Sequence, residues 1–194
     1  YIGTEGDDVL AGQDNDYGVA YQDDYMYGGA GNDTLSGNNG DDEVYGGEGN
    51  DTLSGGNGND IVDGGSGNDV LSGNNGDDEL TGGTGDDVIA GGYGSDTYIY
   101  NLGDGDDVIE EEGGELDRLV FGEGIRPEDL KVTRDYWNMY ITNEETGARI
   151  TLKNCFYYGE RFLEQIEFAD GTVWELEELK QKVRNYIGTE GDDV

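Results

Sequence analysis

From residue 33 to residue 96 an aspartate stands at every ninth position: Asp33, Asp42, Asp51, Asp60, Asp69, Asp78, Asp87 and Asp96. Carboxylates can serve as paired acids and bases, as nucleophiles, or as hard oxygen ligands for a cation. Catalysis needs one or two acids whose surroundings set them apart from the rest. Nothing breaks the period where such an acid would stand, so no catalytic residue is expected and the chain is read as a non-enzyme whose carboxylates bind metal. The sequence contains no His. That removes the commonest metal ligand and the zinc-protease motif, so any metal must be held by oxygen.

The elements that must position these carboxylates are visible in the same register. From Gly28 to Ile99 the chain divides into eight blocks of nine: GGAGNDTLS, GNNGDDEVY, GGEGNDTLS, GGNGNDIVD, GGSGNDVLS, GNNGDDELT, GGTGDDVIA and GGYGSDTYI. The fourth position is always Gly, the sixth always Asp, and the eighth is Leu35, Val44, Leu53, Val62, Leu71, Leu80, Ile89 or Tyr98. Glycines in the first four positions suit a tight turn with close backbone approach. The tail of three residues, such as Thr34-Leu35-Ser36, suits a short strand with its middle residue inward.

Turn plus strand makes half a coil. Two blocks therefore make one coil, and each turn stacks on the turn two blocks away. Asp33, Asp51, Asp69 and Asp87 then form one column, and Asp42, Asp60, Asp78 and Asp96 the other. The expected fold is all-β, a right-handed parallel β-roll with two nonapeptides per coil. Strands in a sheet lie about 4.8 Å apart, so stacked carboxylates repel by roughly 3 to 4 kcal/mol at an effective dielectric near 20. A hard divalent cation between the turns reverses that repulsion. Ca²⁺, which accepts six to eight oxygens in loose geometry, fits better than Mg²⁺ with its tight octahedral shell.

The blocks resemble the RTX repeats of proteins exported by bacterial type I secretion, whose nonapeptide is a calcium-binding signature. The resemblance implies that each ion sits between turns two blocks apart and takes backbone carbonyls as well as aspartates. On one side the carbonyls of Gly29 and Gly31 with Asp33 would face those of Gly46 and Glu48 with Asp51. Gly47 and Gly49 would face Gly64 and Ser66, and Gly65 and Gly67 would face Gly82 and Thr84. On the other side Asn38 and Gly40 would face Gly55 and Asn57, Gly56 and Gly58 would face Gly73 and Asn75, and Asn74 and Gly76 would face Gly91 and Tyr93. That gives six complete Ca²⁺ sites, with each internal Asp bridging two ions and Asp33 at a column end. Asn38 and Asn74 replace a glycine but tolerate its left-handed conformation. Irregular repeats lie at residues 3–27, where Asp8 and Asp24 keep the register, and at about 102–110, where Asp107 pairs with Asp87. Counting them raises the total to about eight ions.

Composition agrees with a cation partner. Acidic residues outnumber basic ones 46 to 10, for a formal charge of −36, which disfavours nucleic acid and anionic lipid. Six Ca²⁺ would carry +12 and leave about −24 of that −36, so the ions act as interior glue and not as charge neutralisers. Gly is abundant at 37 residues, while a single Pro rules out a collagen-like or Pro-rich linker. The Gly-x-Gly strings are not nucleotide loops, since no helix pattern or Lys follows them. The stretch Asp14-Asn15-Asp16-Tyr17-Gly18 is not an EF-hand, lacking the Glu at its twelfth position. Cys155, the one cysteine, is expected to be a small buried hydrophobe. No membrane span or cleavable leader is expected.

Past Glu112 the glycine period stops. Residues 113–185 are expected to form a β-rich cap on a roll spanning residues 1–112, with strands at 119–121, 130–133, 139–141, 150–152, 166–168 and 172–174. A short amphipathic helix is expected over 174–183. The order FGEGIRPEDL, ARITLKNCF, LEQIEFADGTVW is similar to the haemolysin-type calcium-binding related domain that follows RTX blocks. Covering the open end of a solenoid is its expected role. Tyr136-Trp137 and Phe156-Tyr157-Tyr158 are expected in the cap's core. A glycan or host-cell surface patch built on Trp137 or Tyr157 is the alternative.

Residues 186–194 repeat residues 1–9 letter for letter. They are read as the start of a next tandem module, with an engineered duplication as the alternative. Taken together, the sequence points to a secreted or surface-exposed bacterial module that folds on Ca²⁺ and is monomeric apart from its neighbouring modules. The alternatives are a repeated adhesin stalk, or the C-terminal appendage of a toxin or hydrolase.

Overall fold

The computed structural model describes residues 1–12, 22–110, 116–156 and 163–187, with side chains through residue 183. The Asp14 to Gly18 stretch, Tyr157, Tyr158 and residues 188–194 lie outside the described residues. Strands β1 (Val9–Ala11), β2 (Tyr25–Ala30), β3 (Thr34–Asn39), β4 (Glu43–Glu48), β5 (Thr52–Asn57), β6 (Ile61–Ser66), β7 (Val70–Asn75), β8 (Glu79–Thr84) and β9 (Val88–Tyr93) alternate between two sheets. The odd strands continue through β11 (Asp107–Glu110) into one sheet, and the even strands through β10 (Thr97–Tyr100) and β12 (Arg118–Phe121) into the other. Leu35 is level with Leu53, and Leu53 with Leu71; Val44 is level with Val62. Two nonapeptides therefore complete each coil of a parallel β-roll.

Strands β3 to β9 are each six residues long, twice the expected three, and among the strands of the regular repeats only β10, at the end of the last block, is shorter at four. The extra residues are the first three of the next block, so Asn38 pairs with Gly56 and Asn39 with Asn57. Because every coil repeats the same backbone path, the ladder bonds continue into the glycine-rich segment and the turn shrinks to positions four to six. Asn38 and Asn74 have φ of 77° and 78°, left-handed as expected.

The eighth position of each block is buried between the sheets. Met26, Val44, Val62 and Leu80 from one sheet meet Leu35, Leu53, Leu71 and Ile89 from the other. One apolar side chain per half coil makes a thin core, and the remaining inward space at the turns holds aspartates.

The parallel ladders run on past the repeats. β11 pairs with β15 (Arg149–Lys153), and β12 with β16 (Gln165–Phe168). Only then does the direction reverse: β13 (Leu130–Arg134) and β14 (Met139–Asn143) finish one sheet, and β17 (Val173–Glu175) finishes the other, all antiparallel. Helix α1 (Leu176–Ile187) packs on both β13 and β17 and so lies across the end of the roll. Trp174, where the expected strand at 172–174 and the expected helix at 174–183 overlap, belongs to the strand: it lies in β17, paired with Ile166, and the helix begins two residues later. Its ring packs 4.9 Å from Phe168, which lies 5.2 Å from Phe121. Cys155 is buried, and burial pushes its thiol up to about 11, so it behaves as the expected inert hydrophobe.

Tyr136 and Trp137 overturn the cap-core expectation, being 74% and 41% exposed. They sit in the β13–β14 turn, where Asp135 Oδ1 accepts the N–H groups of Trp137 and Asn138, each at 2.7 Å. The turn leaves both rings outside the core, and its backbone is tied to the segment after β15, where the Phe156 N–H donates to the Trp137 carbonyl at 3.2 Å. The two rings pack edge to face on each other instead, at 4.5 Å.

Candidate metal centre

Every sixth-position aspartate of the regular repeats is at most 2% exposed. Each sits at the last residue of a turn, immediately before a strand, and its Oδ1 accepts the backbone N–H of the aspartate one coil earlier. Asp33 N–H donates to Asp51 Oδ1, Asp51 to Asp69 and Asp69 to Asp87, each at 2.7 Å. In the second column Asp42 N–H donates to Asp60 Oδ1 and Asp60 to Asp78 at 2.8 Å, and Asp78 to Asp96 at 3.0 Å. The two expected columns are therefore present in the expected register.

Both columns run beyond the regular repeats, through Asp8, Asp24 and Asp107, which the sequence offered as irregular members, and through Asp117, which it did not. Asp8 N–H donates to Asp33 Oδ1 and Asp24 N–H to Asp42 Oδ1, each at 2.7 Å. Asp33 is thus not a column end, because the irregular first coil stacks on the regular ones. At the far end Asp107 accepts from Asp87 at 3.0 Å, and Asp117 accepts from Asp96 at 2.8 Å. Asp117 was not foreseen. The signal was Asp117-Arg118-Leu119-Val120, which repeats the Asp-x-apolar-x tail of the blocks behind an interrupted glycine run.

The second carboxylate oxygen is the informative one. Oδ2 of Asp33, Asp42, Asp51, Asp60, Asp69, Asp78, Asp87 and Asp96 is buried in every case and has no hydrogen-bond partner. Leaving a buried charged group unpaired costs more than leaving a neutral one unpaired, and eight at once is not a packing accident. A Cβ added at Gly28 would fall on Asp33 Oδ2 and lie 2.6 Å from the Gly46 carbonyl oxygen; at Gly37 it would fall on Asp42 Oδ2 and lie 2.6 Å from the Gly55 oxygen. The first glycine of a block is therefore required to leave room where an orphaned carboxylate oxygen and a carbonyl of the next coil converge.

Other carbonyls border the same gaps between coils. The Gly31 oxygen points at Gly49, and the Gly29 oxygen at Gly47. From the opposite coil the third-position carbonyls of Glu48, Asn57, Ser66, Asn75, Thr84 and Tyr93 accept the fourth-position N–H at 2.8 to 2.9 Å, which uses one of two lone pairs. Among the described residues no three or more His, Cys, Asp or Glu side chains gather closely enough to hold a metal by themselves. An ion in these gaps must therefore draw on backbone oxygens, and an all-oxygen set of carboxylates and carbonyls is what Ca²⁺ accepts.

Electrostatics reinforces the fit. Burial first, with neighbouring carboxylates adding to it, raises Asp60, Asp87 and Asp96 to about 6 and Asp69, Asp78 and Asp107 to about 7. Asp42 and Asp51 are raised by burial as well. The N–H hydrogen bonds oppose the shift without cancelling it. Asp8 differs, since its Oδ2 accepts from the Thr4 N–H at 2.6 Å and the Thr4 hydroxyl at 2.9 Å, where a regular block would carry glycine.

A parallel solenoid whose turns aim columns of orphaned carboxylates and carbonyls into the gaps between coils is a cation-binding β-roll. Comparison with known proteins makes the class specific. The RTX calcium-binding nonapeptide repeat profile matches residues 21–53, 36–71 and 72–109, and the haemolysin-type calcium binding protein related domain matches residues 138–178. The chain belongs to the RTX calcium-binding repeat proteins, with the related domain following the repeats. No curated protein matches it. The crystal structure of the extracellular lipase LipA from Serratia marcescens is similar at 18% identity and a TM-score of 0.34, over 84% of this chain and 38% of that one. The chain thus spans well under half of that lipase.

Proposed function

We propose that this chain is a calcium-gated folding module, residues 1–112 forming the roll and 113–185 its cap. The observation that carries the proposal is the set of eight buried Asp Oδ2 atoms without partners. Six gaps between regular coils each take one Ca²⁺, held by the paired aspartates and the carbonyls of the second and fourth positions on one side and the first and third on the other. A seventh lies between Asp87 and Asp107. Without the ion, stacked carboxylates and glycine-rich turns oppose folding, and the chain stays threadable through a type I exporter. In millimolar external Ca²⁺ it folds, as a secreted or surface-exposed segment that binds and stiffens without catalysing.

Far-UV circular dichroism during a Ca²⁺ titration tests this. The expected result is a cooperative gain of β-structure; a fully β spectrum in chelator, unchanged by excess Ca²⁺, would overturn it.

The identity of residues 186–194 with 1–9 favours a second, compatible reading. In this reading the module repeats in tandem within a long stalk or adhesin, the last two residues of each helix, Tyr186 and Ile187, being already the first two of the next copy. A duplicated end in a toxin or hydrolase appendage would instead occur once, so the number of copies in the full-length gene product separates the two.

A further inference from the structure

Two of the eight orphaned carboxylates face coils that are not regular repeats. In the regular gaps the Oδ2 lies where a first-position carbonyl of the following coil also converges: the Gly46 carbonyl beside Asp33, Gly55 beside Asp42, Gly64 beside Asp51, Gly82 beside Asp69 and Gly91 beside Asp78. For Asp87 the following coil carries Asp107. For Asp96 it is Asp117, 21 residues on, at the root of β12, in a segment that no nonapeptide describes.

The surroundings of Asp96 are those of a regular gap with substituted parts. Asp96 is fully buried and its Oδ2 has no partner. At the point where a Gly91 Cβ would meet that oxygen, the second oxygen, 2.5 Å away, is the Tyr98 hydroxyl, standing where Gly28 meets a carbonyl. The Tyr98 hydroxyl accepts the Gly91 N–H at 2.8 Å.

Across the gap Asp117, also buried, turns Oδ1 back to the Asp96 N–H. Behind it stands a cap residue: Glu164 Oε2 accepts the Asp117 N–H at 2.7 Å, and the Asp117 carbonyl accepts the Glu164 N–H at 2.8 Å. The adjacent basic side chain does not compensate these acids, because Arg118 donates to Thr97 Oγ1 and pairs with Glu167.

We propose that the gap between Asp96 and Asp117 holds a calcium ion of its own, at the joint between the repeats and the cap. Asp117 is a ligand, and Glu164 is a positioning residue that ties docking of the cap to that ion. This rests on the regular gaps being calcium sites. It adds that folding of the cap is itself calcium-dependent, although the cap carries no glycine-rich repeat.

Crystals of the full chain grown with calcium, measured for anomalous scattering, test the site directly. The expected map has a calcium peak between Asp96 and Asp117 besides those in the regular gaps. Peaks in the regular gaps with none at the joint overturn this inference alone; no peak anywhere overturns the folding-module reading instead.

In solution, Asp117→Asn keeps an acceptor for the Asp96 N–H. It is expected to bind one calcium fewer per chain by equilibrium dialysis, with the circular dichroism titration of the repeats retained. Unchanged stoichiometry in a folded variant overturns the site. Glu164→Gln is expected to keep the stoichiometry but move the calcium midpoint of cap folding, read by tryptophan emission, several-fold higher. An unmoved midpoint removes Glu164 from the proposal.

Discussion

The backbone N–H of Asp60 donates to Asp78 Oδ1 across one coil at 2.8 Å, yet Oδ2 of both residues is buried without a partner. One oxygen of each carboxylate is thus committed to holding the stack, and the other is left for something the polypeptide does not supply. The carboxylates serve the coil behind them with one atom and the gap ahead with the other, which is why the column works only as a series.

Position within the column should therefore decide how much a substitution costs. Asp60→Asn keeps an Oδ1 acceptor for the Asp42 N–H and removes the charge shared by two gaps. Its calcium midpoint of folding is expected to rise about tenfold, equivalent to about 1.4 kcal/mol. Asp8→Asn, at a column end and with Oδ2 already engaged by Thr4, is expected to shift the midpoint less than about twofold. Equal shifts in parallel circular dichroism titrations would contradict shared ligation.

Close stacking predicts an equally sharp contrast between two glycines. Gly49 has φ of 133°, and a Cβ there would fall on the Gly31 carbonyl oxygen. Gly49→Ala combines a backbone penalty of about 1–3 kcal/mol with a clash between coils that neither backbone can relieve. Gly6 meets nothing within 4 Å, so Gly6→Ala should stay within about 0.5 kcal/mol of the parent. Urea unfolding in saturating Ca²⁺ measures both.

The roll was legible in the sequence because its physics is periodic: an Asp at every ninth residue and an apolar residue two positions later specify coil, columns and core together. Strand length was not, since the glycines that read as turn can also carry a parallel ladder once an identical coil lies beneath them. Asp117 escaped because an irregular spacing of 21 residues separates it from Asp96, so register had to be recovered from stacking. Asp8 kept the register while losing its orphan oxygen to Thr4, a local substitution whose effect depends on side-chain geometry. Trp137 was misplaced because aromatic character alone does not distinguish a core residue from one raised on a tight turn.

The cap has a conventional core and should respond conventionally. Phe168 lies between Phe121 and Trp174 at 5.2 and 4.9 Å. Phe168→Ala is expected to cost about 3–5 kcal/mol, seen as earlier exposure of Trp174 in urea by its emission. A loss below about 1 kcal/mol would mean that this aromatic row does not hold the cap together.

Acidity should substitute in part for calcium, and the sign follows from the buried carboxyls. In the metal-free roll Asp60, Asp87 and Asp96 are raised to about 6 and Asp69, Asp78 and Asp107 to about 7, chiefly by burial. A folded value above the unfolded one means that folding takes up protons. The contribution is fully present below about pH 4 and is lost as pH rises through 6 to 7. In chelator, β-structure is therefore expected to appear on acidification from pH 7.5 to 4.5. With calcium the dependence inverts, because the ion needs ionised ligands, and the midpoint calcium concentration should climb as pH falls below 7. Salt separates this from relief of the general surface charge: at about 1 M, where the Debye length is about 3 Å, surface repulsion is screened but the buried columns are not. Folding in chelator at pH 7.5 induced by salt alone would assign the acid effect to the surface and not to the columns.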